Sequence, residues 1–272
     1  MSIVYAAAAS HAPGMRAWPK QATEQQAETI MAGWNALRRG LEAARPDVLV
    51  MLTSEHWANF FLDNMGAFCV GRGEHFAGPV EPWLGIDKAT IPGDPELATQ
   101  ILNACYANGF EPGFSHEIAL DHGTMVPLSF LTPEMKTRVV PIFFNTLATP
   151  RPTPARCVAL GKVLGPVLRS SDRRIGVVAT GGLSHDPGER NHGFIDTDFD
   201  AKFLDAMTKG DLDALSRYAD ADFFAAGGGT PELLAWLALA GVMEGQGADT
   251  VCYEAVVPWA TGIGMVNYSK AA

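Results

Sequence analysis

Three apolar stretches of this chain run into histidine. "YAAAASHAPG" carries His11 past its alanines, "VLVMLTSEHW" breaks off at Glu55-His56, and "IGVVATGGLSHDPG" reaches His185 across two glycines. Imidazole, with a reference pKa near 6.5, both binds transition metals and moves protons at neutral pH. A lone histidine past a buried run is more often a satisfied polar residue than a ligand. Three that end separate strands form a set, because ligands of open α/β sheets sit beyond the carboxyl ends of the strands. A chemical constellation also needs a carboxylate. "AAGGGTPELLAW" offers Glu232 behind a run of glycines that permits close approach. The same spacing suits an acid that merely favours a helix dipole, with Thr230 as N-cap and Pro231 at the first helical position. A Gly-rich turn opening a helix also suits phosphate, which an acid there repels. Composition does not choose between cap and ligand.

The elements that deliver these side chains follow from hydropathy. "SIVYAAAAS" (2–10), "DVLVML" (47–52), "RVVPIFF" (138–144) and "RIGVVAT" (174–180) are continuous apolar runs of strand length, the pattern of strands buried on both faces. Between the first two, Ile30, Trp34, Leu37 and Leu41 recur at helical spacing until Pro46 ends the helix. Residues 154–171 read as an apolar helix and 194–218 as an amphipathic one. "TPELLAWLALAGVME" is apolar on nearly every face, which predicts deep burial or a subunit interface, and with it a homo-oligomer. "DTVCYEAVVPW" reads as a closing strand, and the Gly- and Pro-rich residues 72–95 as a long excursion. The expectation is one catalytic α/β domain over residues 1–272: a central, partly parallel sheet flanked by helices, with the active site at the strand C-terminal rim.

Composition narrows the function. Of 272 residues, 47% are hydrophobic and 18% charged, so the chain is globular rather than disordered. A net charge of −10 argues against nucleic acid or an anionic membrane as partner. No run approaches the roughly 18 apolar residues of a membrane span, and the N-terminus lacks the basic region of a signal peptide, so a cytoplasmic protein is expected. Cys69, Cys105, Cys157 and Cys252 are far apart with no C-x-x-C, as core residues would be. "HEIALDH" is not the zincin H-E-x-x-H, because Leu120 stands where the second histidine belongs. "GGLSHDPG" has Ser184 followed at once by histidine, so it is not a G-x-S-x-G elbow. His75 and His192 fall in polar, Gly-containing loops and are expected at the surface.

In this order, "SHAPGM", "SEHWANFF", "ALDHGTMVPLSFL" and "GGLSHDPG" resemble the class III extradiol ring-cleavage dioxygenases, the protocatechuate 4,5-dioxygenase (beta subunit) type. Around "DHGT" and "GGLSHDP" the 2,3-dihydroxyphenylpropionate dioxygenases are particularly similar. The resemblance runs from Ser10 to about Met243. It implies a mononuclear Fe(II) held by His11, His56 and Glu232, with His122 and His185 as catalytic histidines. The substrates it implies are a catechol and O2, and the ring opens next to the diol. Glu55 stands where relatives often have aspartate.

Chemistry agrees with these positions. Two imidazoles and one carboxylate leave open places on iron, as non-haem Fe(II) oxygen chemistry requires. A phenol with pKa about 10 needs metal polarisation and a base to lose its proton at pH 7. His185 is assigned as that base, and His122 as the proton or hydrogen-bond donor toward O2. Two alternatives stay open at this level: a Zn(II) hydrolase using the same three ligands, and a non-enzymatic scaffold of the same fold. The sequence leaves the ring substituent open, as well as any need for a small accessory subunit.

Overall fold

The computed structural model describes residues 2–188 and 191–268. In chain order these form β1 (Ile3–Ala9), α1 (Gly14–Ala17), α2 (Glu24–Ala44), β2 (Val48–Ser54), β3 (Phe68–Gly71), β4 (His75–Gly78) and β5 (Ala89–Pro92). Next come α3 (Pro95–Ala107), β6 (Gly113–Ser115), α4 (His122–Leu131), β7 (Arg138–Phe144), α5 (Pro154–Arg169) and β8 (Ile175–Thr180). The remainder is α6 (Thr197–Lys209), α7 (Leu212–Arg217), α8 (Asp220–Ala225), α9 (Leu234–Val242), β9 (Asp249–Val256) and β10 (Thr261–Asn267).

One sheet runs in the order β6-β3-β7-β2-β8-β1-β10-β9. Its centre, β7-β2-β8-β1, is parallel, and β10 and β9 add antiparallel strands at one side. On the other side β3 runs antiparallel to β7 and pairs in parallel with β6. Side chains alternate between two cores, as strand pleating requires. Val48, Val50, Leu52, Val177 and Ala179 face α3, α5, α6 and α9, while Leu49, Met51, Val178, Tyr5 and Ala7 face α2, α4 and the β4–β5 excursion. Helix α2 starts with a reciprocal cap, Thr23 Oγ1 accepting from the Gln26 amide and Gln26 Oε1 from the Thr23 amide, both at 3.2 Å. It buries Ile30, Trp34, Leu37 and Leu41, the four residues of its apolar stripe.

Differences from the sequence reading are local. The closing strand is a hairpin: after β9 a 3₁₀ turn (Val257–Trp259) leads into β10, and it is β10 that pairs with β1. The late apolar helix is a 3₁₀ turn (Thr230–Leu233) followed by α9. Every residue of α9 is buried within this chain, against the sheet and α5. Burial therefore accounts for its apolarity, and that helix lends no support to a subunit interface. Residues 194–218 are two helices, with Gly210 in the left-handed region between them. The excursion at 72–95 contains the β4–β5 hairpin. All four cysteines are buried and free. His75, His116 and His192 are exposed. No helix among the described residues is long and apolar enough to cross a membrane.

Candidate active site

Strands β2, β8 and β1 are neighbours, and the register pairs Ala9 with Thr180 and Leu52 with Ala179. Their carboxyl ends therefore finish side by side, and the residues that follow them, His11, His56 and the 181–185 turn, meet at one rim. A strand satisfies its backbone in the sheet, but a histidine ring directly past it must find its own partners.

All four site imidazoles find such a partner at Nδ1. His11 Nδ1 lies 3.1 Å from Thr180 Oγ1. That hydroxyl donates to Thr53 Oγ1 (2.8 Å), which in turn donates to the Ser54 carbonyl (3.2 Å). The relay ends on an acceptor, so Thr180 is left to accept and His11 Nδ1 carries the proton. His56 Nδ1 and its own amide both donate to Asp121 Oδ2, at 3.0 and 2.9 Å. His122 Nδ1 and amide both donate to Glu81 Oε1, at 2.7 and 3.0 Å. His185 Nδ1 donates to the Leu183 carbonyl at 2.7 Å. Each proton fixed at Nδ1 leaves Nε2 as the nitrogen facing the centre.

For three of the four, Nε2 then meets Glu232. Its Oε1 is 2.9 Å from His56 Nε2, and its Oε2 is 3.0 Å from His11 Nε2 and 3.5 Å from His185 Nε2. The Gly182 amide also donates to Oε2 at 2.8 Å. The His11 contact is close without hydrogen-bond geometry, so His11 Nε2 is buried with no hydrogen-bond partner. The His122 ring lies against His56, centroids 3.9 Å apart, and 5.5 Å from that of His11. Two overlapping ligand sets thus exist: His11, His56 and Glu232, and the three nitrogens of His11, His56 and His122, which lie within 4.8 Å of one another.

The backbone makes room for this crowding. Gly181 holds φ +141° with the Glu232 main chain against it, and a Cβ on Gly229 would overlap the His185 ring. The glycines of "AAGGGT" therefore serve the close approach expected of them. Thr230, in contrast, caps nothing: its hydroxyl accepts from the His185 amide at 3.3 Å, and Gly229 precedes the 3₁₀ turn. Glu55 turns away from the centre and accepts the amides of Trp57, Ala58 and Asn59, tying down the loop after β2.

Burial and charge set the protonation of the group. Burial opposes charge on Glu232, but the surrounding His11 and His185 outweigh it and hold the carboxyl well below its usual range. Burial likewise opposes a charged His56, yet Asp121 and then Glu232 lift it well above the ordinary imidazole value. His185 is raised as well, the Glu232 charge and the Leu183 carbonyl overcoming burial. For His11 burial prevails over Glu232 and the pKa falls. Asp121, fully buried and opposite His56, sits at about 2 despite the upward push of burial.

The structure brings all five sequence-singled residues, His11, His56, His122, His185 and Glu232, to one point. It adds four that sequence reasoning passed over. Asp121 lay inside the quoted "ALDHGT", directly before His122. Thr180 ends β8 and carried no signal of its own. Glu81 comes from the excursion, where nothing local marked it. Asp200, on α6, accepts from the Ser184 amide (2.7 Å), the Ser184 hydroxyl (2.9 Å) and Tyr253 OH (2.8 Å), pinning the turn that carries His185.

Residues 5–268 match the family described as the catalytic LigB subunit of aromatic ring-opening dioxygenase. A 2,3-dihydroxyphenylpropionate/2,3-dihydroxicinnamic acid 1,2-dioxygenase of Photorhabdus laumondii is 33% identical over 65% of this chain and 55% of its own length. One of the same name from Mycolicibacterium smegmatis is 34% identical over 55% of this chain and 47% of its own. In these pairings the chain spans about half the length of the curated relatives it matches. A third, from Cupriavidus necator, is 25% identical over 87% of this chain and 90% of its length. The crystal structure of an uncharacterized protein from Escherichia coli K12 has the same fold, with TM-score 0.54, 15% identity and 97% and 98% of the two chains covered.

Proposed function

The chain belongs to the family of catalytic LigB subunits of aromatic ring-opening dioxygenases, and on that footing we propose that it is an Fe(II)-dependent extradiol dioxygenase. It incorporates O2 into a catechol-type ring and opens that ring next to the diol. One observation carries this reading: four imidazoles, each with Nδ1 engaged elsewhere, turn Nε2 toward a centre built on the buried Glu232.

The donor set fits a divalent ion. Glu232 has a carboxylate oxygen at about 3 Å from each of His11 and His56, and His11 Nε2 is a buried nitrogen with no hydrogen-bond partner. Of the two candidate sets, His11, His56 and Glu232 is favoured, because its buried carboxylate offsets the cation's charge. When bound, Fe(II) would supply Lewis-acid polarisation of the catechol oxygens and a place for O2. His185 takes a catechol hydroxyl proton at Nε2, its Leu183 contact keeping Nδ1 protonated throughout. With Glu232 committed to a cation, the carboxylate's upward pull on His185 weakens, which moves His185 toward the neutral base. His122 is the proton donor toward the opening ring from Nε2, and Glu81, accepting from its Nδ1, holds the ring in place.

In this proposal residues 1–272 act as a single catalytic domain in the cytoplasm, on a catechol and O2, without nucleic acid or membrane. Exposed apolar side chains, Trp57 and Phe224 in a cavity that reaches the centre and Phe61 and Leu62 on the loop after β2, favour a homo-oligomer or contact with a small accessory subunit. Light scattering of the isolated chain tests that part. The activity is tested by anaerobic loading with Fe(II), addition of a catechol and admission of O2. A yellow ring-opened product is expected.

A further inference from the structure

We infer that the substrate is a catechol whose ring substituent is uncharged and apolar, held against an indole wall made by Trp18 and Trp259. This rests on the ring-opening reading of the site. A cavity of about 280 Å³ opens from His56, His122 and His185. Beyond the histidine–glutamate centre its walls are Pro13, Trp18, Pro258 and Trp259, with His192 and Thr261 as the polar contributions. Neither brings a fixed charge. Thr261 Oγ1 donates to the Trp259 carbonyl (2.7 Å), and His192 Nδ1 accepts from the Gly188 amide (2.8 Å). Trp259 Nε1 donates to the Trp18 carbonyl (3.0 Å), so its polar edge is spent and its face remains. The pyrrole part of the ring is packed directly against Gly14, where a Cβ would overlap it, so the indole is held in place at the cavity wall. Trp18 in turn stacks on Trp83, centroids 5.4 Å apart and planes 9° from parallel.

A second cavity, about 610 Å³, meets the first at His56, His185 and Glu232 and includes Arg151. That guanidinium is committed: Nε and Nη2 donate to the two oxygens of Asp220, both at 2.7 Å, and Nη1 to the Leu147 carbonyl. Among the described residues, neither cavity therefore offers an uncommitted Lys or Arg. A substituent carboxylate laid against this wall would shed part of its water without gaining a cation, which is unfavourable. An alkyl or aryl group, by contrast, gains contact with two indole faces and two prolines.

The experiment compares three substrates on the Fe(II)-loaded protein: 2,3-dihydroxyphenylpropionate, its methyl ester and 3-propylcatechol. The ester and the propyl compound are expected to exceed the propionate in kcat/KM by about tenfold or more. Trp18→Arg, which places a cation at the cavity wall, should shift that ratio toward the propionate. Equal or higher kcat/KM for the propionate in the unaltered protein overturns the inference while leaving ring opening intact. Failure to open any of the three is a different result, since it removes the activity on which the inference stands.

Discussion

Asp121→Asn tests whether the site is built from its second layer of hydrogen bonds. Asp121 is fully buried; its Oδ2 accepts two N–H groups of His56, and Oδ1 accepts the Gly123 amide at 2.9 Å. An asparagine cannot satisfy three donors. If its oxygen stays with Gly123, its NH₂ opposes both His56 donors; flipped, it opposes the Gly123 amide. In the native protein the pKa falls from 3.8 to about 2, which corresponds to roughly 2 kcal/mol of folding stability at neutral pH. Because the folded value lies below the unfolded one, that stabilisation is complete above about pH 4 and is lost as pH falls through about 2. Urea denaturation of the metal-free proteins should show Asp121→Asn weaker by about 2 kcal/mol at pH 7, the gap narrowing below pH 4. Calorimetric Fe(II) titration should show affinity reduced by about 10- to 100-fold, since His56 loses the partner that orients it and sharpens Nε2 as a ligand. A variant with wild-type stability and wild-type metal affinity would refute the reasoning.

Four further outcomes follow from the same geometry. Glu232→Ala should lose metal and turnover together, while retention of stoichiometric metal would return Glu232 to a structural role; Glu232→Gln separates charge from shape. His185→Gln should keep its metal but lose about 10²–10⁴-fold in turnover, together with the limb of the pH–rate profile in the histidine range. His122→Gln should keep metal and catechol affinity and slow later steps; for either variant, a lowered melting temperature with a near-normal rate per folded, metal-loaded molecule would contradict a role in catalysis. Metal binding should release protons and tighten with rising pH, because His56 and His185 hold protons above the ordinary imidazole range in the metal-free centre. Their contribution to stability runs the opposite way: present below about 6.5 and lost as pH rises through the raised folded values. Proton uptake on binding, read from titrations in buffers of different ionisation heat, would contradict this.

What was legible in the sequence, and what was not, divides along physical lines. The four central strands were readable because a parallel strand buried on both faces must be apolar throughout, as Val48–Leu52 and Ile175–Ala179 are. The histidines past β1, β2 and β8 were readable because they break such runs. Strand β10 was not: "TGIGMVN" spends two of seven residues on glycine, and those glycines are needed where Asp200 and Leu183 crowd the backbone. The role of Thr230 was misread because N-cap and hydrogen-bond acceptor share one residue type, and only tertiary placement beside His185 decides. Glu81 was invisible because its value depends on where a 24-residue excursion folds back, which no local periodicity encodes. The apolar helix showed that burial was coming but not by what; the answer was the chain's own sheet and α5.

Simultaneous recording of O2 uptake and catechol loss by the Fe(II)-loaded protein tests the central claim most directly, with the Zn(II)-loaded protein alongside. O2 and catechol are expected to disappear in equal amounts with Fe(II) as a yellow ring-opened product accumulates, and Zn(II) is expected to give neither. Turnover with Zn(II) that consumes no O2, or Fe(II)-loaded protein that leaves every catechol intact, would contradict it.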